Sequence, residues 1–287
     1  MLHPLLASYV RAWARHRIVI ALASQDAAVR AGLTADETVQ IFGVACVTVG
    51  PYGVCGLSGL PDHCPVDVIV NDPALIYRFP YGYPDAARRG MLNDEFLSPH
   101  WLTDRVLPLL AALGSRVRIV VIHPLPEYRT EGFSTSMFLS KLDAYLAPLP
   151  HSWRYAIDTA NAEYLQPAYC DFLRHRGVAP VISEGDGILQ EMPSLSDQLF
   201  IPGICVPPFS VVRSTIRCRI PGMVWHRTDA VIRRQGWCDA VRRCLALSCG
   251  LYLLIDDERD PLQSLALLME MLNDDLAQRS PIKTMAA

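Results

Sequence analysis

Two acidic residues follow short apolar runs of the sequence and are candidates for proton transfer. Asp158 comes directly after Tyr155–Ile157, and Glu184 comes directly after the run that ends at Ser183. Glu184 is followed by Asp186, and two such carboxyl groups can divide the acid and base roles when their environments separate their pKa values. Asp158, with help from Glu184, is therefore the predicted acid–base group. The alternatives are that Asp158 only caps the turn after its strand and that Glu184 belongs to an ordinary acidic loop.

Four further residues are predicted to bind a substrate, and they are Arg78, Asn161, Arg217 and Asp256. Arginine binds phosphate and carboxylate groups through paired N–H donors, so the two arginines indicate a small anionic molecule. A salt bridge to a neighbouring acid is the alternative for Arg78. A solvated acidic turn, shared with Asp257, is the alternative for Asp256.

Metal and cofactor chemistry finds little support in the sequence. His123 is the only histidine at the end of a predicted strand, whereas sites with two or three zinc ions need several histidines beside their carboxylates. A lone acid–base histidine or a carboxylate-bound magnesium ion remains open. No glycine-rich nucleotide-binding motif follows any predicted strand. We therefore predict no metal and no cofactor.

Brief apolar runs alternate with longer segments of helical periodicity along the whole chain. Eight runs bounded by Gly, Pro or Asp are predicted to be strands buried on both faces: Arg17–Ala23, Ala45–Val49, Leu75–Phe79, Val117–His123, Arg154–Asp158, Ala179–Ser183, Val211–Cys218 and Leu251–Asp256. The predicted helices between and after them are Ala35–Phe42, Pro99–Leu113, Ser136–Leu146, Pro167–His175, Trp237–Leu247 and Pro261–Leu272.

This alternation predicts an α/β protein with a single (β/α)8 TIM barrel. The carboxyl ends of barrel strands meet at one face, so we expect the six candidate residues to share one pocket. In particular, Asp158 is expected within reach of Arg78 or Arg217. Three segments are predicted: a basic amphipathic helix over residues 1–17, the barrel over residues 18–275 and a tail over residues 276–287. Packing against the barrel is favoured for the first segment over a membrane-surface anchor or a transit peptide.

Charge and cysteine usage narrow the expected partners and compartment. The net charge is −3, and no apolar run approaches the roughly 18 residues that a membrane span requires. Eight arginines lie in the stretch Val212–Arg243, but no recognised nucleic-acid-binding motif accompanies them, so a nucleic-acid partner is not favoured. There are nine cysteines, and the chain has no C-x-x-C motif. A cytoplasmic protein with reduced, mostly buried thiols is the prediction.

Three segments of the chain resemble one known family. They are FLSKLDAYLAPLP (Phe138–Pro150), RYAIDTANAEYLQPAYCDFLRHRGVAPV (Arg154–Val181) and MPSLSDQ (Met192–Gln198). This pattern closely resembles the central part of the YecE-like family, also called domain of unknown function 72, and a weaker similarity extends over about residues 18–275. The resemblance implies a TIM barrel of uncharacterised activity.

Several polar positions differ from the family pattern. Asp158 stands where the family has a glutamate, Ala160 stands where it has an arginine, and Cys46 stands where it has another glutamate. The loop after Asp256 is also shortened. By contrast, Arg78 keeps a family cation, and Asn161 and Gln198 keep family amides.

Two functional hypotheses follow, and a third is weaker. The first is a hydrolase- or isomerase-like enzyme that acts on a small anionic or phosphorylated substrate, which the retained Arg78, Asn161 and Gln198 favour. The second is a catalytically degenerate barrel that serves as a binding or scaffold protein, which the changes at Cys46 and Ala160 favour. The third, a nucleic-acid-processing barrel, rests on fold analogy and on the arginine-rich stretch alone.

Overall fold

The structure, a computed structural model, describes most of the chain. The described residues are 2–15, 18–22, 28–29, 31–50, 53–70, 73–79, 84–124, 134–159, 164–183, 198–199, 201, 204, 209–216, 227–247, 249–257, 262–263, 265–266 and 268–270.

Within this described part, nine strands form one sheet. They are β1 Ile18–Leu22, β2 Ala45–Gly50, β3 Gly53–Cys55, β4 Val66–Val70, β5 Val117–Ile122, β6 Arg154–Ile157, β7 Val178–Ser183, β8 Phe209–Ile216 and β9 Gly250–Asp257. The strand order in the sheet is β1-β9-β8-β7-β6-β5-β4-β2-β3. Every neighbouring pair is parallel except β2 and β3, which are antiparallel. The strands from β4 to β9 thus follow one another in chain order, as in a repeated βα unit.

Among the described residues, the first helix precedes β1 and the other helices lie between strands in the sequence. They are α1 Leu2–Ala14, α2 Ala35–Phe42, α3 Pro99–Trp101, α4 Leu107–Leu113, α5 Thr135–Leu146, α6 Pro167–His175 and α7 Arg227–Ala246. Thr34 begins α2 with a complete capping box, in which its hydroxyl accepts from the Glu37 amide and the Glu37 carboxylate accepts from the Thr34 amide. In the described residues, no helix has both the length and the apolar character needed to cross a membrane.

A π-helical segment, Leu102–Val106, joins α3 to α4, and Pro108 gives a physical reason for it. Proline has no backbone N–H, and its ring clashes with the carbonyl group four residues earlier. The chain widens by one residue per turn just before this proline, so that the Leu107 amide donates to the Leu102 carbonyl oxygen, five residues back. This irregularity is therefore explained by local sequence and needs no functional cause.

The sheet is strongly curved, as side-chain contacts across its inner face show. Arg118 on β5 lies with its guanidinium carbon 5.4 Å from the centre of the Tyr252 ring on β9, and Arg154 on β6 donates to the Tyr252 hydroxyl at 2.8 Å. In the sheet order, β6, β7 and β8 separate β5 from β9. A flat sheet would place β5 and β9 about 19 Å apart, which is farther than these two side chains can span.

Among the described residues the sheet does not form a closed ring of eight strands, and the seam between β1 and β2 gives a physical reason. Parts of β1 and β2 lie within 8 Å of each other, Cα to Cα, but no ladder between them is found among the described residues. The edge of β2 that faces away from β4 is instead taken by β3, which pairs with Thr48, Val49 and Gly50. Because a strand edge can pair with only one neighbour, β3 excludes β1 from this part of β2.

One of the eight predicted strands was wrong. The segment Leu75–Phe79 is not a strand, since Pro73–Leu75 form a 3-10 turn and Arg78 makes only an isolated bridge with Leu92. The strand that follows β2 and β3 in the chain is β4, and neither β3 nor β4 is among the predicted strands. The other seven strands agree with the prediction within two residues at each end. The helix predicted over Trp237–Leu247 begins ten residues earlier, at Arg227.

Apolar side chains from both sides of the sheet form a continuous core. Fully buried examples are Ile20 on β1, Val68 on β4, Ile119 on β5, Leu142 on α5 and Leu253 on β9. The first helix, α1, also contributes, because Val10 and Trp13 are buried and α1 contacts α2 and β1.

Candidate functional site

The ends of β5 and β6 bring a histidine and an aspartate together. His123 follows β5 directly and Asp158 follows β6 directly, and these strands are parallel neighbours with Ile122 opposite Ile157. The Nδ1 atom of His123 lies 3.2 Å from the Oδ2 atom of Asp158. This distance suits a hydrogen bond or an ion pair, although the ring N–H is not aligned on the oxygen and Nδ1 has no hydrogen bond in this conformation. The two side chains differ in exposure, since His123 is 23% exposed and Asp158 only 1%.

The backbone preceding these two residues is hydrogen-bonded directly between the strands. The Asp158 amide donates to the Ile122 carbonyl oxygen at 2.9 Å. The carbonyl group of the same peptide unit, that of Ile157, accepts from the Tyr169 hydroxyl at 3.3 Å. The peptide unit before Asp158 is therefore held from both sides, and one of its contacts is to the peptide unit before His123.

Tyr169, on α6, is fully buried behind Asp158. Burial, together with the negative charges of Asp158 and Cys170, raises the pKa of Tyr169 well above its ordinary range, so this phenol acts as a donor and not as a base. The nearby Thr159 hydroxyl works in the opposite direction on that pKa. The Oγ1 atom of Thr159 itself makes no hydrogen bond within the described structure.

Aromatic packing accounts for part of the segment that resembles the YecE-like family. The Phe138 ring, on α5, lies 4.5 Å from the Tyr164 ring and 6.5 Å from the Tyr169 ring, centre to centre. All three side chains are almost completely buried. Phe138, Tyr164 and Tyr169 thus pack α5 and α6 against the end of β6. Their role is structural, and it is close to Asp158.

Arg78 lies in a different setting from the one expected. Because Leu75–Phe79 is not a strand, Arg78 is not at a strand end but in the long segment between β4 and α3. The residue is exposed, and its guanidinium group donates to the Gly90 carbonyl oxygen at 2.9 Å. Among the described residues, His123 lies beside Asp158. The predicted contact of Asp158 with Arg217 stays a prediction, because Arg217 lies outside the described residues.

The remaining candidates lie at the limits of the described structure. Asp256 is a residue of β9, near its carboxyl end, with its backbone opposite Thr215 of β8. Glu184, Asn161 and Arg217 lie outside the described residues. The site residues that the sequence analysis did not select are His123, Thr159 and Tyr169. For His123 a signal was present, since it is a polar residue at the end of the strand before Asp158.

A second charged cluster lies near the opposite, amino-terminal ends of the strands. Asp67, on β4, is 1% exposed, and its Oδ1 atom lies 3.6 Å from the Nε atom of Arg118. Neither carboxylate oxygen of Asp67 has a hydrogen bond in the described structure. Burial raises the pKa of Asp67 to about 6, although the positive charge of Arg118 works against that rise. Arg118 also packs on the Tyr252 ring, so this cluster links β4 and β5 to β9.

A cavity of about 50 Å³ lies at the seam between β1 and β2, away from His123 and Asp158. Its lining is mostly apolar and includes Leu22, Leu33, Thr38, Ala45, Cys46 and Leu60. Cys46, which stands where the family has a glutamate, is thus a buried thiol beside apolar side chains. This surrounding suits a neutral thiol better than it would suit a carboxylate.

Seven cysteines are described, and none of them forms a disulfide: Cys46, Cys55, Cys64, Cys170, Cys238, Cys244 and Cys249. All but Cys55 are buried. Across the described ranges, no three His, Cys, Asp or Glu side chains are grouped so that they could hold a metal ion.

Comparison with known structures identifies the architecture. The crystal structure of a DUF72 family protein from Thermotoga maritima matches 91% of this chain and 99% of its own, with a TM-score of 0.53 and 11% sequence identity. The chain has the DUF72 fold. This agrees with the family that the sequence segments resemble. No family model matches the sequence, and no curated protein does either. At this low identity the DUF72 match establishes the fold and carries no activity with it.

Proposed function

We propose that the protein is an enzyme that uses His123 as a general acid–base group oriented by Asp158. The observation that carries this proposal is the 3.2 Å approach between the Nδ1 atom of a partly exposed histidine and the carboxylate of a buried aspartate. The pair lies just after the carboxyl ends of two neighbouring parallel strands, which is where α/β enzymes place their catalytic groups.

The geometry suggests a division of roles between the two residues. A carboxylate beside Nδ1 favours the tautomer with a proton on Nδ1, and a small rotation of the ring would align that proton on Asp158. The other ring nitrogen, Nε2, then has a lone pair and faces away from the carboxylate. Nε2 is therefore the atom that would take a proton from a substrate and later return it.

The substrate class we propose is a small anionic molecule, and the reaction class is hydrolase- or isomerase-like. Both rest on the sequence: Arg78 and Arg217 as cations, Asn161 and Asp256 as polar contacts, and Glu184 as a second acid. The exposed position of Arg78, after β4, leaves its side chain accessible to a ligand.

We further propose that the sheet closes into a (β/α)8-type barrel with β3 inserted at the seam between β1 and β2. The contacts that Arg118 and Arg154 make with Tyr252 support the curvature, and the approach of β1 to β2 supports the closure. The shared DUF72 fold is consistent with this architecture.

The experiment is a turnover screen over phosphorylated and carboxylated small molecules with the wild-type protein and three variants. His123→Asn and Asp158→Asn should each reduce kcat by about 10²- to 10⁴-fold, the usual contribution of general acid–base catalysis. His100→Asn, at an exposed histidine, is the matched control and should keep full activity. If His123→Asn keeps wild-type activity, the proposal is wrong. If ligands bind but none is turned over, the scaffold hypothesis is favoured instead.

A further inference from the structure

The backbone between the two proposed site residues forms a continuous chain of hydrogen bonds. The Tyr169 hydroxyl donates a hydrogen bond to the Ile157 carbonyl oxygen. The amide of the same peptide unit, Asp158 N–H, donates to the Ile122 carbonyl oxygen, which belongs to the peptide unit before His123. Hydrogen bonds in such a chain polarise one another, so that each strengthens the next.

These hydrogen bonds lie at the ends of β5 and β6, where the backbone of a strand is most easily displaced. Asp158 and His123 lie one residue beyond the last paired residues of β6 and β5, Ile157 and Ile122. Side chains at such positions keep a fixed geometry only if other groups hold their backbone. Tyr169 is well suited to this task, because it is fully buried and its ring packs on Phe138.

We infer that Tyr169 is a positioning residue, whose hydroxyl group fixes the Ile157–Asp158 peptide unit and thereby holds Asp158 against His123. The inference rests on the proposed function, since it explains how the proposed acid–base pair keeps its geometry. Tyr169 itself does not take part in proton transfer: it is enclosed by protein, and its hydroxyl faces the backbone. At 3.3 Å its bond to Ile157 is long for an O–H···O contact, so its effect is expected on alignment more than on folding.

Another buried tyrosine, Tyr155 on β6, provides a matched control. Tyr155 is 5% exposed, and its hydroxyl has no hydrogen-bond partner among the residues that the structure describes. Tyr155→Phe therefore removes a buried hydroxyl from the same region without removing a hydrogen bond to the backbone. Tyr169→Phe removes the hydroxyl that donates to Ile157 and leaves the aromatic ring in place.

The test is nitrogen NMR of the histidine rings in the full-length protein, with the His123 signals assigned by their loss in His123→Asn. In the wild type we expect mainly the tautomer protonated on Nδ1, because Asp158 faces that atom. In Tyr169→Phe we expect at least a twofold rise in the Nε2-protonated tautomer, which an unconstrained histidine prefers in water, and faster hydrogen exchange at the Asp158 amide. Tyr155→Phe should match the wild type in both measurements.

Each result bears on a different claim. If Tyr169→Phe gives the wild-type tautomer and exchange rate, or if Tyr155→Phe gives the same change, the inference is wrong. A Tyr169→Phe protein that does not fold also contradicts it, because the inference assigns the hydroxyl a local task. If the tautomer responds as expected but His123→Asn keeps full turnover, the inference stands and the proposed function falls. If the wild type shows the Nε2-protonated tautomer, there is no aligned pair to position and both fall.

Discussion

Replacing Asp67 with asparagine should make the unfolding free energy of the protein less dependent on pH between pH 4 and pH 7. Asp67 is buried on β4 with its nearest cation, Arg118, at 3.6 Å, and burial raises its pKa to about 6. In the unfolded chain its pKa is that of an ordinary aspartate, about 3.9. The folded protein therefore keeps this proton to a higher pH than the unfolded chain does.

The sign and the size of the effect follow from this difference. Stabilisation by the retained proton is complete below the unfolded pKa of about 4, is lost as the pH rises to about 6, and is absent above that. A pKa difference of about 2 corresponds to about 3 kcal/mol, of which about 2 kcal/mol falls between pH 4 and pH 7. Asparagine resembles the protonated acid and does not titrate. Asp67→Asn should thus gain about 2 kcal/mol relative to the wild type between pH 4 and pH 7.

The assay is urea unfolding followed by tryptophan fluorescence at several pH values, with the unfolding free energies of the two proteins subtracted at each pH. Asp36→Asn, at an exposed aspartate, controls for the loss of one negative charge. If the difference in unfolding free energy between Asp67→Asn and the wild type stays constant from pH 4 to pH 7, burial does not raise the pKa of Asp67. That result would contradict the prediction.

Two further predictions concern thiols and anions. Thiol titration of the denatured protein without reductant should give nine free thiols, because none of the seven described cysteines forms a disulfide; a count of seven or fewer would contradict this. Ala160→Arg restores the cation of the family pattern and should tighten phosphate or carboxylate binding by roughly 10- to 150-fold, the worth of one charge-assisted hydrogen bond. Calorimetric titration with Ala160→Met as the uncharged control checks it, and equal affinities in both variants would favour the scaffold hypothesis.

Local sequence predicted most of the strands because those strands are continuous apolar runs bounded by turn residues. Two strands were missed. One is β3, which has only three residues, and the other is β4, which contains Asp67, whose charge interrupts the apolar pattern of VDVIV. Its burial depends on Arg118, which is about fifty residues away in the sequence, so no local signal could reveal it. The run Leu75–Phe79 has the composition of a strand, but it lies between Pro73 and Pro80 and finds only a single bridging partner.

The place of Asp158 in the fold was predicted from the sequence, whereas its catalytic role stays a prediction. Asp158 was chosen from its place after an apolar run, and the structure does put it at the end of β6. The predicted contact with Arg217 stays a prediction, and the adjacent strand end supplies His123, which was not predicted as a partner of Asp158. This pairing could have been inferred, since consecutive parallel strands in a βα repeat are neighbours and their ends therefore meet. The part played by Tyr169 could not, because it depends on where α6 packs in three dimensions.

The pairing of β1 has a consequence for how the chain folds during its synthesis. Ile18 pairs with Leu251, so the first strand finds its described partner only in the last one, β9. While the ribosome makes the intervening chain, the apolar segment IVIAL lacks β9, which is its only pairing strand in the described sheet. Such segments associate readily with other unpaired strands. A nascent chain that stops before β9 therefore exposes an aggregation-prone segment near its amino terminus. This segment becomes paired only when β9 has been made.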